Sequence, residues 1–443
     1  MTSLLYRSLD QRDSGVGIGR HPAPVPVSNP PFDDDTPLTV ADAETHVSGI
    51  CFKTGPPQFC GVELEWLLYH RADPRLPVTA APRLAEQIRL DRGQLTVEPG
   101  GQLEYSSSVA DSLKSCVADT SVDLAVLRAA LSRVGLRMAG FGLDPYREPR
   151  RLLDLPRYQV MEQHFDAEES LGRWMMCCSA SVQVCLDAGR ADATTAGLRH
   201  RWRLVHAITP VLIAVFANSP VARRRPTGWL STRQAVWASM DHTRTAPVSS
   251  GDPAVDTDPT AEWVRYALDA TVLAIRREPG LPWTAPEGLT FRSWIDRGGR
   301  RPTRSDLDYH LTTLFPPVRP HGYLELRMID AQRGDGWIVP LAVCSALLGD
   351  PRAGSAALAA AEPLWHGVTD PAQPLRHAAR WGMRDPMLAA AARTCLLAAV
   401  TALPAGAIRS AVERFADSHP ARDRCPADDL STRCRGPVSR FMA

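Results

Sequence analysis

The sequence predicts an α+β protein built around an antiparallel sheet with one polar face. Three observations predict it. Four short stretches alternate polar and apolar residues, the period-two signature of strands with one wet and one buried face. The helical stretches between them differ widely in length, unlike the regular alternation of a doubly wound sheet. From Pro340 to about Ala416 the pattern is helical and alanine-rich, giving a helical C-terminal part.

Residues 1–40 are rich in Pro, Arg, Asp and Ser with no apolar period, and read as a flexible N-terminal tail. The Gly15–Gly19 run inside them lacks the preceding strand and following Lys-Ser/Thr of a phosphate loop. Thr39 caps a helix reaching about Cys51, and Gly61–Tyr69 is the first strand. A loop and helix cover Arg83–Asp91. The stretch Leu95-Thr-Val-Glu-Pro-Gly-Gly-Gln-Leu-Glu-Tyr-Ser106 then bends at Pro99-Gly100-Gly101, where glycine permits a sharp turn. Past the bend Gln102, Glu104 and Ser106 face one way, Leu103 and Tyr105 the other.

Ser107–Gly135 reads as a long amphipathic helix with Val122 and Val126 on its apolar face, and Leu136–Gly142 as a short strand. Tyr158–Phe165 is helical. The strand Ser179–Asp187 shows Ser181, Gln183 and Asp187 on one face. Helices follow over Trp202–Phe216 and Thr260–Arg276, Trp294–Asp306 is a Gly/Arg loop, and the strand Tyr323–Met328 puts Glu325 and Arg327 together. Residues 41–416 thus form one domain, and 417–443 a polar C-terminal tail.

The formal net charge of +1 excludes nucleic-acid binding by bulk charge. Of 50 basic residues only Lys53 and Lys114 are lysine, the mark of a GC-rich coding bias, so surface arginines carry little functional signal. The ten cysteines lack paired metal spacing, and neither a signal peptide nor an apolar run of membrane-spanning length is found. A cytoplasmic protein with reduced thiols is expected.

On each strand, residues i and i+2 stand roughly 6.5–7 Å apart. Glu63 with Glu65 has a plain alternative, a solvated strand face. A solvated face mixes in Lys, Arg and Thr, however, whereas here acids and amides recur on several strands. Glu63, Glu65, Glu98, Glu104, Glu325 and Gln183 together suit two or three hard divalent cations such as Mg2+, bridged to phosphates. Arg327 reads either as an ion-pair partner of Glu325 or as a guanidinium that stabilises a phosphoryl group in flight. Arg233 and Arg319 read as surface or substrate-binding arginines. His164, His310 and His321 lack ligand spacing. The residues alone support Mg-dependent phosphoryl transfer without a Walker loop.

Six segments in order resemble the glutamate–cysteine ligases of the plant and actinobacterial type: Gly61–Glu65, Glu98–Ser106, Ser181–Asp187, Phe216–Pro220, His310–Pro316 and Tyr323–Arg327. The resemblance implies a glutamine-synthetase-like curved antiparallel sheet forming a funnel, with helices outside. It implies that ATP phosphorylates the γ-carboxylate of L-glutamate and that the amino group of L-cysteine displaces the phosphate. It implies metal sites at Glu63, Glu65, Glu98, Glu104, Gln183 and Glu325, a catalytic Arg327, and substrate contacts at Gln102, Arg233 and Arg319. The Gly298–Arg301 loop is expected over ATP. Implied partners are these small molecules alone, with no nucleic acid or membrane, and a monomeric state. Actinobacterial members feed ergothioneine biosynthesis, which is the pathway expected here. The alternative within the same fold is a ligase using another amine.

Overall fold

The computed structural model describes residues 36–166, 171–278, 280–297 and 299–431. Nine strands are present among them: β1 (Cys60–His70), β2 (Gln94–Val97), β3 (Leu103–Ser106), β4 (Leu136–Ala139), β5 (Ser181–Asp187), β6 (Val221–Ala222), β7 (Arg225–Pro226), β8 (Val318–Pro320) and β9 (Tyr323–Asp330). Seven form one sheet in the order β2-β3-β1-β5-β9-β8, with β4 also on β1, and every pairing is antiparallel. β6 and β7 form a separate hairpin.

The registers decide which side chains meet. Glu63 stands opposite both Ser106 and Gln183, Glu65 opposite Glu104, Glu104 opposite Thr96, and Arg319 opposite Glu325. Residues directly across an antiparallel pair share a face, so the polar residues of six strands gather on one side. On the other side Val62, Leu64, Leu103, Tyr105, Val182, Val184, Leu324 and Leu326 are buried. Behind this apolar face lie the helices Leu113–Arg133 on β1, Thr209–Phe216 on β9 and Ile338–Gly349 on β5. Pro386–Ala402 packs behind the last of these. An α+β antiparallel sheet with helices outside and a helical C-terminal part is the architecture expected.

Several boundaries differ, each for a local reason. The long helix starts at Leu113 instead of Ser107, because Ser112 caps it by accepting from Ser115 N and Ser107 Oγ is occupied accepting from Val62 N. Its buried stripe runs through Cys116, Thr120, Leu124, Leu127 and Leu131, leaving Val122 and Val126 exposed. The helix expected over Thr260–Arg276 ends at Asp269. Beyond it β-branched Val272 and Ile275 pair in extended form, donating to Leu289 O and Trp283 O. The loop Trp294–Asp306 is shorter than expected, its ends taken up by the helices Phe291–Asp296, capped by Thr290, and Arg304–Leu311, capped by Thr303. The proposed C-terminal tail contains a packed turn and the helix Pro426–Ser431, with Cys425 and Ala427 fully buried. Residues 1–35 and 432–443 of the two expected tails lie outside the described residues.

The turn carrying Glu98 is fixed from two sides. Gly101 has φ +89° and donates to Glu98 O, while Glu98 N donates to Gln102 O. A Cβ on Gly100 would stand 2.2 Å from Cys177 O, so only glycine lets this backbone abut the end of the helix Leu171–Cys178. Upstream, buried Asp123 accepts from the backbone N–H groups of Asp91, Arg92 and Gly93 and from Tyr105 Oη. The strand β2 is thereby aimed into the sheet.

Candidate active site

A cavity of about 730 Å³ opens on the polar face. Nine of the ten residues singled out from sequence line it: Glu63, Glu65, Glu98, Gln102, Glu104, Gln183, Arg233, Arg319 and Arg327. The tenth, Glu325, is fully buried behind the wall. A second cavity of about 590 Å³ continues along the same face, lined by Cys60, Gly61, Ser106, Cys185, His321 and Tyr323 among others. Glu63 and Arg319 line both cavities, so the two meet there.

One hydrogen-bonded ladder crosses the sheet. Gln183 Nε2 donates to Glu65 Oε1 at 2.9 Å, and Arg327 Nη1 donates to Gln183 Oε1 at 2.5 Å and to Glu325 Oε1 at 3.0 Å. Arg319 completes it with a two-pronged pair to Glu325, Nε to Oε2 at 2.6 Å and Nη2 to Oε1 at 3.1 Å. Its Nη1 donates to Leu314 O at 3.3 Å. Burial alone would raise Glu325, but Arg319 and Arg327 override it and hold the carboxyl well below the usual range.

The other carboxylates behave oppositely. Burial and then the nearby Glu325 charge raise Glu63. Burial and Glu65 push Glu98 up to about 7. Burial, Glu98 and Glu63 raise Glu104 well above its ordinary value, although Thr96 Oγ1 donates to it at 3.0 Å. Hard oxygen donors are thus gathered where burial and mutual repulsion oppose their ionisation. That donor set fits divalent metal, the chemistry Mg2+ favours. Among the described residues no three His, Cys, Asp or Glu side chains already converge as a metal-holding group. Gln183 and Glu325, expected among the ligands, both accept from Arg327 Nη1.

The substrate-binding candidates differ from one another. Arg233, 3 % exposed, begins the helix Thr232–Ala238. Its Nη2 donates to Arg327 O at 2.9 Å, while Nε and Nη1 are buried without a hydrogen-bond partner. Burial lowers its pKa against the pull of Asp330, 3.9 Å away. Asp330 itself accepts from Asn218 N, Ser219 Oγ and Ser231 Oγ, and the Phe216–Pro220 motif thus serves the floor beneath Arg327. Gln102 Nε2 donates to Met176 O and Ser179 O, leaving a buried Oε1 without a partner. Arg319 is spent on Glu325 and carries no orphan donor on the wall. Of the Gly298–Arg301 loop, Gly298 lies outside the described residues, Arg300 pairs with Asp306 at 2.8 Å and Arg301 donates to Ile295 O. Neither arginine lines the two cavities.

Sequence reasoning missed the wall opposite the sheet. Arg157, Tyr158 and Met161 on the helix Pro156–Asp166, Met175 on Leu171–Cys178, and Trp237 line the first cavity. Arg157 is held by Thr312, donating from Nη1 to Oγ1 and from Nη2 to the carbonyl, each at 2.9 Å. Its charge lowers the pKa of Glu98 against burial. No local pattern marks it, since only the tertiary fold brings it across the funnel.

A family model described as glutamate–cysteine ligase family 2 matches residues 59–433. Glutamate–cysteine ligase EgtA of Mycolicibacterium smegmatis is 39 % identical over 401 residues, covering 88 % of this chain and 90 % of that protein. The EgtA of Mycobacterium tuberculosis is 38 % identical over 416 residues, covering 90 % and 92 %. The chloroplastic glutamate–cysteine ligase of Medicago truncatula is 31 % identical over 252 residues, 55 % of this chain and 48 % of that protein. Among solved structures, a glutamate–cysteine ligase of Francisella tularensis in complex with AMP is similar in fold, with a TM-score of 0.50, 12 % identity, and coverage of 88 % and 87 %.

Proposed function

The chain belongs to glutamate–cysteine ligase family 2, and on that footing we propose that its polar face joins the γ-carboxylate of L-glutamate to the amino group of L-cysteine using ATP. The observation that carries the reading is the division of that face. Carboxyls that raise one another's pKa share it with the arginine-clasped Glu325, and the two cavities meet at Glu63 and Arg319.

The two cavities suit different substrates. The first, with charged walls and orphan polar atoms, takes the amino acids. Arg233 Nε and Nη1 are unspent donors for the glutamate α-carboxylate, and Gln102 Oε1 is an unspent acceptor for its ammonium. The second, with Ile50, Phe59 and Tyr323 on its walls, takes the nucleotide. The γ-phosphate then reaches the junction at Glu63. Glu63, Glu65, Glu98 and Glu104 are the proposed holders of two or three Mg2+ ions, with Gln183 and Glu325 behind them. Bound there, Mg2+ supplies charge neutralisation for the phosphates.

A carboxylate is a poor acyl donor because oxide would have to leave. An oxygen of the glutamate γ-carboxylate attacks the γ-phosphorus, the bond to the β,γ-bridging oxygen breaks, and ADP departs. Arg327, on the cavity wall and aimed by Gln183 and Glu325, stabilises the charge on the phosphoryl oxygens as it moves. The cysteine nitrogen then attacks the acyl carbon, phosphate leaves, and γ-glutamylcysteine forms. We place this product in ergothioneine biosynthesis, on the Arg-rich, Lys-poor composition and the mycobacterial relatives. A cytoplasmic, monomeric enzyme is part of the same proposal. No single helix among the described residues is long and apolar enough to cross a membrane.

The test is coupled ADP release with Mg-ATP and glutamate, adding cysteine, serine, alanine, 2-aminobutyrate or histidine in turn, with product mass. Fast turnover with cysteine and a γ-glutamylcysteine mass is expected. ADP release indifferent to glutamate or to the amine sinks the reading, and a better amine than cysteine redirects it to the alternative ligase.

A further inference from the structure

The segment 52–59 joins the helix Val40–Cys51 to β1 and crosses the mouth of the second cavity, where Lys53 and Phe59 line the wall. It is tied down at both ends. Gln58 N and Phe59 N both donate to Asp187 Oδ2 at 2.7 Å, and Gly55 N donates to Gly189 O at 2.9 Å. Cys51 O accepts from Gly322 N at 2.8 Å, fastening the start of the segment to the β8–β9 turn. The Lys53 stem lies over that turn: a Cβ on Gly322, whose φ is +78°, would stand 3.5 Å from Lys53 Cδ. Asp187 thus works at the rim of the funnel, away from the carboxylate cluster.

Among the described residues the cations of this cavity are few. Arg319 is committed to Glu325 and Leu314 O. His46 is bonded to Asp308 at 2.5 Å and accepts from Arg304. Burial, with Arg319 next, pushes His321 down to about 4, leaving it neutral near pH 7. The carboxylates on the same wall are Asp187, Asp308 and Glu63. Lys53, exposed at the mouth, is the cation that an anion entering there meets first. Around it Ile50, Phe59 and Val109 expose apolar surface at 36, 45 and 53 %. A rim of apolar groups with one ammonium matches a flat base joined to phosphate, since lysine offers donors and positive charge only.

We propose that Lys53 binds the phosphate oxygens of the nucleotide and that Asp187 is the positioning residue that holds its strap across the cavity. The proposal rests on the reading of the second cavity as the nucleotide end. One charge-assisted contact of this kind is worth about a fivefold to tenfold change in affinity.

Calorimetry on the full chain tests it with AMP, ADP and adenosine as probes. In Lys53→Met, affinity for AMP and ADP falls about fivefold to tenfold and affinity for adenosine is unchanged, while Lys53→Arg recovers most of the loss. Unchanged AMP and ADP affinity, or an equal loss for adenosine, overturns the role of Lys53. In Asp187→Ala, AMP binding weakens similarly and hydrogen exchange across 52–59 accelerates. Normal AMP affinity despite accelerated exchange overturns the role of Asp187. Hydrogen exchange on the wild-type protein separates the two layers. AMP is expected to protect residues 183–187 and 320–323. AMP binding without that protection removes the cavity assignment itself, whereas protection with an indifferent Lys53→Met removes only the lysine.

Discussion

Glu325, fully buried, and Glu104, half-buried, are glutamates on strands of one sheet, yet their surroundings drive them in opposite directions. Glu325 is clasped by two arginines and held ionised. Glu104 faces Glu98 and Glu63 with one hydroxyl for company and resists ionisation. The first is a finished ion cluster, and the second belongs to the carboxylate set for which we propose Mg2+ as the added positive charge.

The largest effect expected from breaking this contrast is on turnover. Arg327→Ala should cost about 10²–10³ in kcat, as loss of one transition-state donor does, with thermal melting little changed. A folded variant turning over near the normal rate would remove Arg327 from the chemistry. Glu325→Gln should destabilise the protein by roughly 3–5 kcal/mol in urea titrations, because buried Arg319 and partly buried Arg327 lose their counter-charge. Glu104→Gln should instead raise metal-free stability by about 1 kcal/mol while shifting the Mg2+ titration of activity upward. An unchanged titration would mark Glu104 as structural.

Gly100→Ala should cost roughly 1–3 kcal/mol, as overpacking does, since the new Cβ meets the Cys177 backbone. Chemical denaturation measures it. A further effect is the pH dependence. Glu98 titrates near 7 in the fold against an ordinary 4.5. The folded state therefore holds more protons than the unfolded one between these values, so stability falls as pH rises from about 4.5 to about 7. Melting curves should show this fall in EDTA and a flatter profile with Mg2+. A pH-independent melting temperature in EDTA would put Glu98 outside the coupled cluster.

The polar face was legible in the sequence because a strand has period two: once Glu63, Glu65, Glu104 and Gln183 are placed on strands, their common side follows. The partner of each charge was not. Arg319 meets Glu325 across the β8–β9 turn, a register that the Pro316–Pro317 pair does not reveal. Arg157 reaches the cavity only because the helix Pro156–Asp166 docks across it. The helix expected to run to Arg276 failed for a related reason, since Val272 and Ile275 find extended partners 8–17 residues downstream. Local pattern fixes faces, whereas long-range pairing decides which charges are neutralised.

The ladder Glu65–Gln183–Arg327–Glu325–Arg319 is carried wholly by strands, while Tyr158, Met161, Met175 and Trp237 reach the same cavity from helices. The phosphorylating machinery and the opposite wall therefore sit on separate parts of the scaffold. For anyone reshaping the cavity, libraries confined to those helical positions would change its lining while leaving the strand-borne ladder in place.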